Sequence, residues 1–557
     1  MLIALLEESY AACCRTRPDF RFRCAGPSAN GRAMMMDAGK DQRFFWIVLF
    51  ALFLLTRIPA MGGYLSIDNV NLAFSLEKFD PRIHQPQPPG YPFFVFFARM
   101  VNTIFGDAGR TFFVISLLVS GASLCAAYAL AGRMFSPWAG AAGAFLLLVN
   151  PVFWHSSLDG PLRPHLALFS LLTAYCCWRC WNGEKRFACW GAVALGVGSG
   201  FRPDLLAFLF PLWFLSSWAG TKSWRTVMQA SILLLAVVCV WTGALLIAMG
   251  GIQNFRTVML GYAVEQSGQG SVVFGSSIVS WVRQINRLVI WNGLAVVGWI
   301  WVIPFWFFNA SPRLKSFSTA GFFFIWLVPG LFIQALVHVD APGHTLFSVA
   351  ALCVLGGYVV SLIPAREFAL GAAVLVNAMV FLDLFPLPAG AVNTPTRTPS
   401  IKNAVLFGSF EASLGMVRGL DDITRTTLKE IEEFTPKDRP SIIISTNTPV
   451  DQWFMNWRIG RYYLPEMDFW ILYNNTVPKR VEHIRRDLVL EARDTAPLEI
   501  PIFREGRVLW LIEPDSAFHK QLAASQKLMG GKYVFYSDIT RESLPYTIDG
   551  VTIVPEP

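Results

Sequence analysis

Long apolar runs separated by short polar connections dominate the chain from residue 44 to residue 386. A helix needs about 20 apolar residues to cross the hydrocarbon core of a bilayer. The pattern therefore predicts about eleven transmembrane helices, at 44–61, 109–131, 137–153, 164–181, 187–201, 204–219, 226–249, 288–309, 318–337, 344–362 and 367–386. Segment 91–106 is also apolar, but it is short and contains Arg99, so we expect a helix in the outer membrane interface rather than a span.

The pattern changes after Phe385, where four prolines within 386–399 indicate a linker. Beyond it, alternating periodicities predict a small α/β domain. The expected elements are a helix at 420–434, strands at 441–445, 469–473, 507–512 and 532–536, and a helix at 516–528. The predicted organisation is a disordered N-terminal segment (1–42), an all-α membrane domain (43–386) with a long first outer loop (62–108), and an α/β domain (387–557). We also expect translation to start at one of Met34, Met35 and Met36, just before the first apolar run.

The basic residues predict the orientation of the membrane domain in the bilayer. They punctuate the connections 132–136, 182–186, 220–225, 310–317 and 363–366, which fall on one side together with the arginine-rich N-terminus. The positive-inside rule makes that side cytoplasmic. An odd number of spans then places residues 387–557 on the extracytoplasmic side of a multi-pass protein of the plasma (inner) membrane.

Composition agrees with a membrane protein. Of 557 residues, 54% are hydrophobic and only 15% are charged, whereas soluble domains carry about 25% charged residues. The net charge of +8 comes from residues spread between apolar runs rather than gathered on one polar face. The sequence therefore predicts a lipid bilayer as partner, and no nucleic acid.

The polar chemistry gathers on the predicted outer side. Under this topology all seven histidines lie there: His84, His155, His165, His338, His344, His483 and His519. Most acids of the membrane part lean the same way, among them Asp68, Asp159, Asp204 and Asp340. An ionised side chain costs about 2.5–3.5 kcal/mol at mid-bilayer, so the clustering favours a polar cavity that opens outward. The alternative explanation for the clustering is that these residues lie in loops, which are polar because they are exposed to solvent.

Asp68 follows the first span within Leu65-Ser-Ile-Asp-Asn-Val70. A carboxylate held at a membrane edge is suited to general-base work on an attacking hydroxyl. The sequence equally allows a structural reading, in which Ser66 or Asp68 caps the helix that follows.

Two outer arginines run against the charge bias. Asp159 and Arg163 share the second outer loop, and Arg202 lies in Gly200-Phe-Arg-Pro-Asp204. A guanidinium fork suits a pair of phosphate oxygens; lipid headgroup contact is the alternative. For Asp159 the alternative to a functional role is a structural one, as an acidic residue in the turn before Gly-Pro.

Two further outer segments carry candidate substrate-binding residues. Residues 84–92 contain four prolines, and such a rigid segment is able to position His84 and Tyr91. His338 and His344 lie at the two ends of a short turn, and either is able to bind phosphate or a metal ion. Their spacing does not match a strict metal-binding motif.

These features resemble the GT-C superfamily of membrane glycosyltransferases, in the group with protein mannosyltransferases and bacterial aminoarabinose transferases. The resemblance is carried over 44–210 by Asp68 after the first span, the long first outer loop, the His-x-Pro-x-Pro-Pro-Gly-Tyr-Pro run at 84–92, the inner turn 131–135 and Asp159.

The resemblance implies an inverting hexosyl- or pentosyltransferase. Its donor would be a polyprenyl-phosphate sugar, and its acceptor a hydroxyl of a glycan, lipid or protein. Carried over by position, Asp68 is the general base, and Asp159 orients the acceptor or a divalent cation. The family often has Asp-Glu at the first site, where this chain has Asp68-Asn69, so the need for a divalent cation stays open.

Two other classes compete with a transferase. A transporter or lipid-linked-sugar flippase should place polar groups at the midplane and show internal repeats, and neither pattern is evident in the sequence. A catalytically inactive membrane scaffold is compatible with the composition, but it gives no reason for Asp68 and Asp159.

Overall fold

The computed structural model describes residues 29–304, 317–339, 341–384, 412–446, 457–473, 478–485, 488–495, 497–512 and 515–556. Residues 1–28 of the N-terminal segment, the predicted linker at 386–399, the boundary between 386 and 387, and Asp340 lie outside these ranges. Within them the chain divides into two compact units, which are described separately. The first comprises residues 29–61, 88–384 and 412–415, and the second comprises residues 62–87 and 416–556.

Helices account for most of the described chain. In chain order they are α1 (Ala29–Arg57), α2 (Ile67–Glu77), α3 (Pro92–Phe105), α4 (Ala108–Met134), α5 (Pro137–Val149), α6 (Pro151–Asp159), α7 (Pro164–Trp181), α8 (Phe187–Phe201), α9 (Asp204–Thr221), α10 (Trp224–Ala248), α11 (Ile252–Gly270), α12 (Ile278–Gly293), α13 (Phe317–Leu336), α14 (Leu346–Ser361), α15 (Arg366–Phe381), α16 (Leu414–Phe434), α17 (Trp457–Tyr463) and α18 (Ala517–Ser525).

The predicted count of eleven spans is not confirmed. Five helical segments of the described chain are long and apolar enough to cross a membrane, or six if the bent pair α5–α6 counts as one span. Other apolar helices are shorter: α8 has 15 residues and α15 has 16, below the length of about 20 that a full crossing needs. The helix expected at 91–106 is present as α3.

The span predicted at 137–153 is broken in the structure. Helices α5 and α6 meet at an angle of 57°, and Asn150 between them has extended backbone dihedrals. Pro151 follows and lacks the N–H that would continue the helix. The Asn150 side chain caps the new helix, because its Oδ1 accepts a hydrogen bond from the Phe153 amide at 3.0 Å.

Glycines allow close helix contacts in the first unit. A Cβ on Gly140 would come within 2.7 Å of the Tyr128 carbonyl, and one on Gly357 within 2.5 Å of the Ala139 carbonyl. Helices α4, α5 and α14 therefore pack backbone against backbone, as is typical of membrane helix bundles. A continuous apolar core runs through this unit, with Trp213, Trp291 and Trp326 fully buried.

The second unit is an α/β fold. Its strands are β1 (Ser441–Thr446), β2 (Phe469–Tyr473), β3 (Arg480–Arg485), β4 (Leu488–Arg493), β5 (Leu498–Ile502), β6 (Gly506–Leu511), β7 (Met529–Gly530), β8 (Phe535–Ile539), β9 (Tyr546–Ile548) and β10 (Val551–Pro555). Seven form a sheet of order β4-β3-β2-β1-β6-β8-β7, and three form a second sheet of order β5-β10-β9.

The centre of the larger sheet is parallel. Strand β1 pairs with β2 on one side and β6 on the other, for example Ile443 with Phe469 and with Leu509. Both sheet faces are covered, which fits the nearly continuous apolar runs of these strands. The strand predicted at 532–536 was misplaced, because the structure has β8 at Phe535–Ile539.

Residues 62–87 of the predicted first outer loop belong to this second unit. Val70 of α2 is fully buried in a cluster with Ile443, Ile459 and Phe469. The loop that carries Asp68 is thereby packed on the β-sheet formed by the C-terminal part of the chain.

Candidate functional site

Asp68 lies in the first turn of α2. Ser66, not Asp68, is the N-cap residue, and its side chain makes no capping hydrogen bond. The Asp68 side chain is exposed. A carboxylate in the first helical turn is favoured by the partial positive charge of the helix N-terminus. The structure thus leaves Asp68 accessible and does not use it as the cap.

The backbone ahead of Asp68 is held by two side chains of the same unit. The Asp421 carboxylate accepts hydrogen bonds from the amides of Gly63 at 2.6 Å and Tyr64 at 3.1 Å. The hydroxyl of Tyr463 accepts one from the Leu65 amide at 2.8 Å. Three consecutive peptide groups are fixed in this way, so the start of α2 has a defined position.

Arg458 of α17 reaches the same helix. Its Nη1 donates to Asn71 Oδ1 at 3.2 Å, and Asn71 is 3% exposed. The charge of Arg458 acts on Asp68 and on His84, and burial lowers the pKa of the arginine. Sequence reasoning missed Arg458, because nothing in its local pattern ties it to a loop nearly 400 residues earlier.

His84 ends a tight turn that Asp80 organises. Asp80 and Gln85 exchange backbone hydrogen bonds of 2.7 and 3.1 Å, and the Asp80 carboxylate takes two from the Arg82 side chain, both at 2.8 Å. His84 has a φ of 60° in the left-handed region. Burial, aided by the charge of Arg458, lowers the pKa of His84 to about 4. The imidazole is therefore neutral at physiological pH.

In the first unit, Asp159 and Arg163 form an ion pair. Arg163 Nη1 lies 2.5 Å from Asp159 Oδ2, and both side chains are mostly buried. The stem of Arg163 packs on Gly343, where an added Cβ would come within 2.3 Å of the arginine Cδ. The pair thus joins the end of α6 and the residues that follow it to the turn that carries His344.

Arg202 forms a forked pair with Asp204. Its Nε and Nη2 lie 3.2 and 2.8 Å from the two carboxylate oxygens, and its guanidinium carbon lies 5.7 Å from the centre of the Tyr91 ring. Tyr91 and Arg202 are both 7% exposed. The structure therefore brings together two residues that the sequence identified separately.

His338 and His344 are neighbours, with ring centroids 5.9 Å apart. The Gln334 side chain donates to the His344 carbonyl at 2.6 Å. Within the described ranges no three His, Cys, Asp or Glu side chains converge as a metal site. Asp159 and His344 supply the donor types that a divalent cation accepts, but no complete ligand set among described residues includes them.

Two buried polar residues near the α5–α6 bend were not predicted from the sequence to be site residues. Arg57 is fully buried and donates to Ser157 Oγ at 3.2 Å and to the Leu148 carbonyl at 2.6 Å. His155 is 4% exposed, and neither of its ring nitrogens has a hydrogen-bond partner among the described residues. The one sequence signal for Arg57 was its position near the predicted outer end of a predicted span, where the charge bias disfavours arginine.

Comparisons with known proteins agree with this architecture. Residues 85–247 match the family model of dolichyl-phosphate-mannose-protein mannosyltransferases. Two crystal structures of ArnT from Cupriavidus metallidurans share the fold. The apo form has a TM-score of 0.52 at 12% identity over 92% of this chain and 100% of the ArnT chain. The form bound to undecaprenyl phosphate has a TM-score of 0.53 at 13% identity over 93% and 100%.

A search of curated proteins found no match. The family model and the shared fold confirm the resemblance to the GT-C membrane glycosyltransferases.

Proposed function

We propose that this chain, which has the fold of a GT-C membrane glycosyltransferase, transfers a sugar from a polyprenyl-phosphate-linked donor to an acceptor hydroxyl. The reaction proceeds with inversion on the extracytoplasmic face of the plasma membrane, with the N-terminus in the cytoplasm and the C-terminal α/β part outside. The observation that carries the proposal is the exposed carboxylate of Asp68 on a helix start whose backbone is fixed by Asp421 and Tyr463.

Asp68 acts as the general base. It takes the proton of the acceptor hydroxyl while that oxygen attacks the anomeric carbon, and the bond from this carbon to the phosphate oxygen breaks. Polyprenyl phosphate leaves with the bonding electrons. A carboxylate whose position is fixed before the substrate arrives loses little freedom in the transition state, which lowers the barrier.

Arg202 stabilises the departing phosphate. Asp204 engages only Nε and Nη2, and a guanidinium carries five N–H groups. Positive charge beside the donor phosphate favours binding of the donor, and it also stabilises the negative charge that the departing oxygen gains. We assign Arg163, His338 and His344 to substrate binding as well, and Asp159 to orienting the acceptor or a divalent cation. His84 contributes a neutral imidazole and Tyr91 a hydroxyl, each able to form hydrogen bonds.

The test compares cells that lack the protein with cells that express the wild type, Asp68→Asn or Glu77→Gln. Mass spectrometry of glycans and extracted lipids should show one added sugar with the wild type. Asp68→Asn should express normally but reduce transfer by orders of magnitude, since the amide cannot accept the proton. Glu77 is an exposed acid at the far end of the same helix, and Glu77→Gln should transfer normally. Wild-type levels of product with Asp68→Asn would rule out Asp68 as the base.

A further inference from the structure

Helix α17 brings a cation to the helix that carries the proposed base. Arg458 donates from Nη1 to Asn71 Oδ1 at 3.2 Å. Residues three apart on a helix share one face, so Asp68 and Asn71 are neighbours along α2. The contact with Asn71 therefore fixes the guanidinium beside the Asp68 position.

The titratable groups that interact electrostatically with Arg458 come from four elements. They are Asp68 of α2, His84 of the 81–84 turn, Tyr473 of β2 and Glu482 of β3. Glu482 has partners of its own, because it accepts a hydrogen bond from the Tyr473 hydroxyl at 2.8 Å and pairs with Arg480 at 3.5 Å. His84 is neutral above about pH 4, and the Tyr473 hydroxyl is neutral because burial raises its pKa.

We propose that Arg458 is a positioning residue for Asp68. Arg458, held by its hydrogen bond to Asn71, keeps the Asp68 carboxylate ionised and fixes its direction. The C-terminal α/β part then has a role in the reaction, since it supplies the cation that tunes the base. This inference rests on the proposed function of Asp68. It assigns Arg458 no contact with the substrate.

The first test is the pH profile of sugar transfer by the full-length protein. With Arg458→Met, the acid-side inflection should move up by about one pH unit, because a nearby cation favours the ionised form of a carboxylate by about that much or more. Arg458→Lys keeps the charge and should hold the inflection near its wild-type position. The control is Arg541→Met, which removes an exposed arginine paired with Glu505 at 3.4 Å. An unshifted inflection in Arg458→Met would overturn the inference.

The second test does not depend on activity. A double-mutant cycle compares the thermal unfolding of wild type, Asp68→Asn, Arg458→Met and the double variant. If the two side chains interact, the unfolding midpoint of the double variant should lie a few degrees above the sum of the single effects. Additive effects would show that Arg458 and Asp68 are uncoupled, and the inference would be wrong. A wild type that transfers no sugar would refute the proposed function instead, while the cycle would still report the coupling.

Discussion

At the scale of single residues, the ionisation of His84 decides what this histidine is able to do. Its pKa is lowered to about 4 by burial and by the charge of Arg458, so the ring carries no charge near neutral pH. A neutral imidazole donates one hydrogen bond and accepts another, but it cannot neutralise a phosphate. The sequence predicts that His84 binds substrate, and a neutral ring is suited to do so through hydrogen bonds rather than through charge.

His84 should make the protein sensitive to acid. Its pKa in the folded state, about 4, lies below the ordinary value of 6.5, so the unfolded chain binds the proton more tightly. Stability from this group is complete above about pH 6.5 and falls as the pH drops towards 4, by up to about 3 kcal/mol. Thermal unfolding should be measured at about pH 7.5 and about pH 5. The drop in unfolding midpoint between these pH values should be smaller for His84→Gln than for wild type. Arg541→Gln replaces an exposed arginine that stays charged over this pH range; it is the control and should lose as much stability as wild type. Equal losses for all three would contradict the prediction.

Arg202 should matter more for the donor than for the acceptor. Hydrogen bonds to charged groups contribute about 1.5–3 kcal/mol, so Arg202→Ala should raise the KM for the lipid-phosphate donor about 10- to 100-fold and leave the KM for the acceptor unchanged. Steady-state kinetics with each substrate varied in turn measure both constants. Arg110→Ala is the matched control, because Arg110 is exposed at the start of α4. An equal rise in both constants would argue against a phosphate role.

Residue identity in the sequence pointed to Asp68 and Arg202 but not to Arg458 or Arg57. The first two stand out because each lies in a polar connection that follows an apolar run, whereas Arg57 lies inside the predicted span 44–61. The meaning of Arg458 depends on its contact with Asn71, 387 residues earlier in the chain, and such contacts are created only by the fold.

At the scale of elements, the bend between α5 and α6 shows how a buried cation stabilises a broken helix. The break leaves the Leu148 carbonyl without its helical partner, and Arg57 donates to this oxygen at 2.6 Å. The guanidinium carbon also lies 4.7 Å from the centre of the Trp154 ring on α6. One side chain of α1 therefore contacts both arms of the bend.

Replacement of Arg57 should weaken the bend. Arg57→Met removes the donor to the Leu148 carbonyl and the cation over Trp154, and a buried carbonyl left unsatisfied costs about 1–3 kcal/mol. The unfolding midpoint of the purified protein should fall by several degrees. Arg43→Met, at an exposed position of the same helix, should leave the midpoint unchanged. A stable Arg57→Met variant would mean that the backbone holds the bend without the arginine.

Element positions followed from the sequence where periodicity was strong. The amphipathic helix expected at 420–434 is part of α16, and the strand at 469–473 matches β2. Strand β3 was missed because four of the six residues in Arg480-Val-Glu-His-Ile-Arg485 are polar and the strand lies towards one edge of the sheet. The bend at Asn150 was missed because hydropathy shows only how long an apolar run is. It does not show the backbone conformation of the residue that precedes a proline.

At the scale of the whole molecule, residues 62–87 and 416–556 form one compact unit although more than 300 residues separate them. The sequence predicted an outer loop and an α/β domain, each from its own composition. It could not predict that the loop packs in the domain, since the buried face of α2 is short and interrupted by Asn69 and Asn71. The same packing gives the proposed base its fixed backbone.

Asp421 should therefore control activity from a position in α16. Asp421→Ala removes the acceptor for the Gly63 and Tyr64 amides, so the start of α2 should gain freedom and the Asp68 carboxylate should lose its fixed position. Since a misplacement of about 1 Å is able to cost about 100-fold in rate, we expect sugar transfer to fall at least tenfold and protease cleavage near residue 63 to rise. The adjacent Asp422 is 63% exposed and pairs with Arg425 at 2.6 Å, which makes Asp422→Ala a matched control for charge and helix position. If both variants transfer sugar at the wild-type rate, the C-terminal unit does not position the base.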